Sequence, residues 1–257
     1  MRRLVIRPGA IGDVIVSLPA IECLASPTLA PTLEVWTAAR TVPLVRFASR
    51  VRAIPSTGLD LLGVTEPPPE LLASLREFDS IVSWYGANRL EFRRAVADLG
   101  LPFTFLDALP AAGAGLHATD FYLQQVRALA ECSSDGIPHI ECAAEPRDFA
   151  VIHPFSGSAQ KNWPLANFRA LADKLQRLMP VKWCAGPDDP PLPGAVQIDD
   201  LYELACWLAS ARLYIGNDSG ITHLAAAVGT PVLALFGPTD PETWSPRGPH
   251  VRIGRWR

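Results

Sequence analysis

A carboxylate, two hydroxyls and an imidazole lie within six residues in the segment Asp218-Ser219-Gly220-Ile221-Thr222-His223. The surrounding pattern reads as a strand from Leu213 to Ile215, a Gly-flanked polar loop, a short helix from Thr222 to Val228 stopped by Gly229, and a strand from Val232 to Phe236. That last strand runs into a second loop, Gly237-Pro238-Thr239-Asp240. Both loops therefore leave the carboxyl ends of neighbouring parallel strands. In open α/β sheets that edge is where ligands bind, and a loop entering a helix also presents backbone N–H groups to an anion. The plainer alternative is a capped turn, with Asp218 as helix N-cap, Ser219 and Thr222 as further capping hydroxyls and His223 as a half-buried spacer.

The elements that would position such a site occur twice. Leu4-Val5-Ile6 runs into Arg7-Pro8-Gly9-Ala10-Ile11-Gly12-Asp13 and an apolar helix from Val14 to Leu24. Residues 150 to 152 run into His153-Pro154-Phe155-Ser156-Gly157-Ser158, after which Lys161-Asn162-Trp163-Pro164 opens a helix from Leu165 to Leu178. A strand, a Gly-containing loop and a helix form the first unit of a doubly wound sheet, and its repetition predicts two Rossmann-like α/β domains. The first half continues with strands at Leu33 to Trp36, Ser80 to Trp84 and Phe103 to Leu106. Its helices fall around Pro43 to Ser49, Pro69 to Glu77, Arg89 to Leu99 and Asp120 to Cys132. The polar, Pro-punctuated stretch from Ser133 to Pro146 places the domain boundary, giving residues 1–145 and 146–257. In the second half Val181 to Cys184 is a strand ending in the loop Ala185-Gly186-Pro187-Asp188-Asp189, and Leu201, Leu204, Ala205 and Leu208 mark a helix face capped by Asp199 or Asp200. Pro19 should either kink the first helix or delay its start to about Ser17.

Composition bounds the function. A chain of 257 residues suffices for one large or two modest domains, and a net charge of −3 gives no basis for wholesale nucleic-acid binding. No apolar run reaches the length of a membrane span, and the N-terminus enters a strand directly with no secretory pattern, so a cytoplasmic protein is expected. The five cysteines are too widely spaced for a zinc or CxxC motif and read as structural thiols in a reducing compartment. All three lysines lie after residue 160, whereas the first hundred residues hold eleven arginines. Such clusters are commonly solvated faces, but the planar guanidinium fork also suits an acidic substrate.

Three motifs together, Ile6-Arg7-Pro8-Gly9-Ala10-Ile11-Gly12-Asp13-Val14 with Pro19, His153-Pro154-x-Ser156-Gly157-Ser158 with Lys161-Asn162-Trp163-Pro164, and Gly216-Asn217-Asp218-Ser219-Gly220 with His223-Leu224-Ala225 and Phe236-Gly237-Pro238-Thr239, resemble glycosyltransferase family 9, the ADP-heptose:lipopolysaccharide heptosyltransferases. The likeness follows the family's order along nearly the whole chain. It implies a GT-B architecture, two Rossmann-like domains facing across a cleft, with the acceptor on the N-terminal domain and the nucleotide sugar on the C-terminal domain. It implies inversion at the anomeric carbon, an ADP-sugar donor and neither cofactor nor metal. Family members carry a longer C-terminal segment that packs back onto the first domain, where this sequence offers Glu242 to Arg257.

Carried onto these residues, the resemblance makes Asp13 the general base, with N-cap of the first helix as its structural alternative. Lys161, Ser156 and Ser158 would neutralise charge on the departing ADP, and Asp188 would bind ribose hydroxyls. Asp218 would accept hydrogen bonds from the sugar, the Ser219 and Gly220 N–H groups would meet the diphosphate, and His223 would donate to a phosphate or brace the loop. Arg7, Gly12, Arg89 and Arg93 fall on the acceptor side, facing an acidic glycolipid or glycan, with peripheral contact to the cytoplasmic face of the inner membrane. The alternatives are a weakly catalytic or non-catalytic nucleotide-sugar-binding member, a transferase of another nucleotide sugar, and an epimerase or phosphorylase of the same architecture. An NAD-dependent oxidoreductase is disfavoured because neither loop reads G-x-G-x-x-G.

Overall fold

The computed structural model describes residues 1–25, 32–111, 113 and 115–256. The chain divides into two compact units, one comprising Met1–Ala114 and Ala118–Asp135, the other Gly115–His117 and Gly136–Arg257. Each is built on a five-stranded, all-parallel sheet.

In the first unit β1 (Arg2–Arg7), β2 (Thr32–Thr37), β3 (Arg50–Ala53), β4 (Ser80–Ser83) and β5 (Phe103–Phe105) lie in the order β3-β2-β1-β4-β5. The helices are α1 (Ile11–Cys23), α2 (Pro69–Arg76), α3 (Leu90–Asp98) and α4 (Ala118–Val126). β1 has strand neighbours on both sides, so the strand order reverses between β1 and β4. The run Leu4-Val5-Ile6 is fully buried, as a parallel strand covered on both faces requires. On one face Leu4, Ile6, Trp36 and Ile81 pack with Leu71, Leu75, Phe92 and Val96.

In the second unit β6 (Ala150–His153), β7 (Val181–Trp183), β8 (Leu213–Asn217), β9 (Val232–Phe236) and β10 (Val251–Arg255) lie in the order β10-β9-β8-β6-β7, so the reversal falls between β6 and β8. The helices are α5 (Leu165–Leu175), α6 (Leu201–Ala209), α7 (Gly220–Ala227) and α8 (Pro241–Trp244). Ile152 and Ile215 pack on Phe168 and Ala172 of α5. Asp200 caps α6, accepting from the Tyr202 and Glu203 N–H groups. Both strand–loop–helix units expected from the sequence are therefore present, and the doubly wound α/β class stands.

Three local expectations are corrected, and two edge strands are added. The helix expected from Pro43 to Ser49 is instead a short 3-10 segment at Ala39–Leu44 followed by edge strand β3. β3 and β10, the sequences RVRA and VRIGR, are too arginine-rich to read as apolar runs, but charge is what suits the outer edge of a sheet. Pro19 does not delay α1, which begins at Ile11 and carries the proline inside it, buried. Finally, the cysteines are not all thiols: Cys23, the last residue of α1, is disulfide-bonded to Cys132 beyond α4, with a Cα–Cα distance of 5.0 Å. The spacing of 109 residues hid a pairing that the packing of α1 on α4 creates.

Candidate active site

In the first unit the chain leaves β1, turns through Gly9 at φ 131° and enters α1. A Cβ at residue 9 would lie 2.8 Å from Asp13 Cβ, so only glycine fits both the backbone and the space there. Ala10, not Asp13, is the N-cap residue. Asp13 sits one turn in, half-buried, and its Oδ2 accepts from the Ala10 N–H at 2.9 Å. One carboxylate oxygen is thereby oriented by the backbone, and Gly12 beside it lies in the first turn, half-buried.

Contrary to the expectation of an acceptor-side guanidinium, Arg7 is only 2% exposed and is held by protein groups. Nε donates to Ser17 Oγ at 3.0 Å, and Nη2 donates to the Asp13 carbonyl at 2.8 Å and to the Tyr122 hydroxyl at 2.9 Å. The ring of Tyr122 lies 4.5 Å from the guanidinium carbon and that of Trp84 5.8 Å. Tyr122 OH donates on to the Ala108 carbonyl at 2.8 Å. Burial pushes the Tyr122 phenol up, opposed by Arg7 and reinforced by Asp13, so the three groups share one electrostatic environment.

Arg89 and Arg93 follow β4, the strand beside β1 at the reversal of strand order. Arg89 is the N-cap residue of α3 and donates to the Tyr85 hydroxyl at 2.5 Å. Arg93 is exposed, lies 4.9 Å from the centre of the Phe105 ring and donates to the Ala87 carbonyl at 3.3 Å.

The second unit assembles its polar residues on loops that leave β6, β7, β8 and β9. Lys161, at the end of a short 3-10 segment, places Nζ 2.8 Å from Asp218 Oδ2, and Thr239 Oγ1 donates to the same oxygen at 2.7 Å. Asp218 is 6% exposed, so this carboxylate is fixed before any ligand arrives. Asp218 is not the N-cap of α7. That position belongs to Ser219, whose Oγ accepts from the Thr222 N–H. The Thr222 hydroxyl donates back to the Asn217 carbonyl, and the buried Tyr214 hydroxyl pairs with Thr222. Burial drives the Tyr214 phenol far up, so it remains neutral. His223 is buried in the first turn of α7 behind Ser219 and Gly220. Ser156 Oγ lies 2.7 Å from Asn162 Oδ1 and 2.9 Å from the Ser158 carbonyl, closing the β6 loop on itself.

Two connections were invisible in the sequence. Asn217, fully buried at the end of β8, donates from Nδ2 to the Pro154 carbonyl at 2.7 Å and accepts at Oδ1 from the Trp163 N–H at 2.9 Å. It ties the β6 and β8 loops together across the strand-order reversal. Asp188 is exposed in its turn, whereas its neighbour Asp189 faces inward, with Oδ2 2.9 Å from His153 Nε2 and 2.6 Å from the Gly186 N. Cys184, where β7 ends, is buried, and burial followed by the charge of Asp189 pushes its thiol up to about 12. The one available signal for Asn217 was a polar residue closing an apolar strand.

Two parallel, doubly wound sheets, each with polar loops at the reversal of strand order, match the GT-B class of glycosyltransferase fold. Residues 198–255, which include the third motif, match the model of glycosyltransferase family 9 (heptosyltransferase), the family that the motifs resemble. Lipopolysaccharide heptosyltransferase 3 of Escherichia coli K12 is 32% identical over 148 residues, 51% of this chain and 43% of that protein. Lipopolysaccharide heptosyltransferase 2 of the same strain is 34% identical over 73 residues, 28% of this chain and 19% of that protein. The chain thus spans less than half the length of the curated relatives it matches. In fold the likeness extends over the whole chain. The E. coli ADP-heptose lps heptosyltransferase II structure superposes with a TM-score of 0.74 at 18% identity, covering 100% of this chain and 91% of that one. A family 9 glycosyl transferase from Veillonella parvula gives 0.76 at 18% identity, covering 99% and 86%.

Proposed function

We propose that the protein is an inverting heptosyltransferase that moves a heptose, or a related sugar, from an ADP-sugar to a lipopolysaccharide-core or similar acidic glycan acceptor. The first unit, residues 1–145 in the sequence division, holds the acceptor, and the second, 146–257, holds the donor. The observation that carries the reading is the contrast between the carboxylates. Asp13 is half-buried and oriented through one backbone N–H, whereas Asp218 is buried and paired to Lys161.

The acceptor hydroxyl oxygen attacks the anomeric carbon and forms the new C–O bond. The bond to the diphosphate breaks, and its electron pair leaves with ADP. Asp13 takes the hydroxyl proton, a contribution of roughly 10²–10⁴ in rate. Lys161, the Ser219 and Gly220 N–H groups at the start of α7, and the Ser156 and Ser158 loop meet the charge that develops on the diphosphate. Asp218, held by Lys161 and Thr239, accepts from sugar hydroxyls, Asp188 meets the ribose, and His223 braces the loop from behind. Arg89 and Arg93 face the acidic acceptor, which is met at the cytoplasmic face of the inner membrane. Among the described residues no helix is long and apolar enough to cross a membrane.

The test is Asp13→Asn, assayed as ADP release from ADP-heptose with deacylated lipopolysaccharide core as acceptor. Turnover falls at least 100-fold while ADP still raises the melting temperature as it does in the wild type. ADP stabilises the protein at concentrations where UDP, GDP and phosphate do little. Turnover within a few-fold of wild type returns Asp13 to a purely structural role, and equal shifts with every nucleotide remove the donor assignment.

A further inference from the structure

β1 contributes two buried arginines, one to each end of α1. Arg3, 5% exposed, donates from Nη1 to the Leu24 carbonyl at 3.0 Å, just past the C-terminal end of the helix. Arg7 reaches the first turn, where Nη2 donates to the Asp13 carbonyl. The two environments differ in sign. A cation at a helix C-terminus is favoured by the helix dipole, and one at the N-terminus is opposed by it. Arg7 thus sits at the electrostatically unfavourable end, and its partners are a hydroxyl, a carbonyl, a phenol and two aromatic rings, with no carboxylate in ion-pair contact among the described residues. A buried guanidinium in that position is a poor device for stability alone. What it does achieve is geometric. One rigid fork joins β1, the Asp13 peptide, Ser17 one turn on and Tyr122 of α4, and Tyr122 is in turn held to the Ala108 carbonyl.

We propose that Arg7 is a positioning residue for the base: its fork, anchored on Tyr122 and Ser17, holds the Asp13 peptide so that the carboxylate meets the acceptor hydroxyl in line. This rests on the assignment of Asp13 as base and deepens it. A planar fork with directed N–H groups is needed, because a lysine ammonium cannot hold three partners on two elements in one plane. Small misplacements of a reacting group cost up to about 100-fold in rate, so the signature is a loss in kcat and not in donor binding.

The experiment compares Arg7→Gln, Arg7→Lys and Arg3→Gln in the ADP-release assay, with melting temperatures measured in parallel. Arg7→Gln and Arg7→Lys lower kcat roughly 10- to 100-fold, leave KM for ADP-heptose within about twofold, and leave the ADP-induced thermal shift intact. Arg3→Gln lowers the melting temperature and leaves kcat near wild type. Arg7→Gln introduced into Asp13→Asn adds less than about a twofold further loss, because the residue acts through a base that is already gone. An equal loss in both backgrounds, or a kcat for Arg7→Gln within twofold of wild type, overturns the proposal. Should Arg7→Gln fail to fold, Tyr122→Phe and Ser17→Ala each remove one anchor and keep the charge. A severalfold drop in kcat at constant KM supports the role, and unchanged kcat in both overturns it. An inactive Asp13→Asn beside a fully active Arg7→Gln sinks this inference alone, whereas an active Asp13→Asn sinks the base assignment on which it rests.

Discussion

The two units open on the same strand, loop and helix, but they fix the loop by different means. In the first, the order around Asp13 comes from behind the sheet edge: a buried arginine grips the peptide from below, and a disulfide joins the far end of α1 to the chain after α4. The carboxylate itself keeps one backbone contact. In the second, order is built into the site residues. Asp218, Lys161, Thr239, Asn217, Ser219 and Thr222 hold one another through short polar contacts at the ends of β6, β8 and β9. On the roles proposed above, a base keeps an oxygen open for a proton, whereas a group that only receives a ligand gains from being pre-ordered.

The contrast is most directly broken at the disulfide. Cys23 and Cys132 close a loop across a sequence separation of 109 residues. Replacing both with serine should cost about 4–5 kcal/mol in the chain-entropy limit for a loop of that length. Hydrogen exchange reads the loss by position, and it should fall on amides of residues 1–135 and spare 136–256. Equal deprotection of both halves would show that the order of the first unit is not maintained separately.

The matching intervention in the second unit is Asn217→Ala. It leaves the buried Pro154 carbonyl and the part-buried Trp163 N–H unpaired, at a cost of about 2 kcal/mol. ADP affinity should fall with stability here if, as proposed, the loops this side chain joins hold the diphosphate. A stable variant that binds ADP normally would separate the polar network from the site.

Lys161→Ala probes one arm of that network. Its removal should weaken ADP binding by roughly 2 kcal/mol, since a buried or part-buried charge pair with a diphosphate exceeds what a rim lysine gives. Asp218→Ala should instead impair ADP-heptose binding more than ADP binding, both measured by titration calorimetry. Similar losses for both ligands in both variants would mean that the loop as a whole, rather than each side chain, makes the site.

The frame of this arrangement was legible because buried parallel strands must be apolar and their loops glycine-rich. Leu4-Val5-Ile6 and Val232 to Phe236 are read without ambiguity. The polar positions of the three motifs were legible as types. Their partners were not, since hydrogen bonds such as Asn217 to Pro154, or Arg7 to Tyr122, span 63 and 115 residues and exist only in the folded chain. Arg7 shows the limit well. In the sequence it is one of eleven arginines among a hundred residues and looks like a ligand, and only its depth beneath α1 shows that its fork faces protein. Asp188 and Asp189 illustrate the same point, because adjacent carboxylates in one turn differ only in which of them the turn aims inward at His153.

The smallest predicted effect lies at the far end of α1, beside the disulfide. Burial, and then the neighbouring charge of Asp135, push the Glu22 carboxyl up to about 7. An acid whose folded pKa is raised binds more protons folded than unfolded between its ordinary range and 7, so stability falls as pH rises through that window. Below about 4.5 Glu22 is protonated in both states and carries no penalty, and above 7 the penalty is complete. Because the group is partly exposed, the penalty is on the order of 1 kcal/mol rather than the full value of the shift. Glu22→Gln should therefore leave the melting temperature unchanged near pH 4.5 and raise it by a few degrees at pH 8. The gain should appear in exchange protection of residues 1–135. A gain of equal size at both pH values would trace the effect to packing rather than charge. It would also remove the remaining titratable element from the contrast, leaving this end of α1 held by the Arg3–Leu24 hydrogen bond and the disulfide.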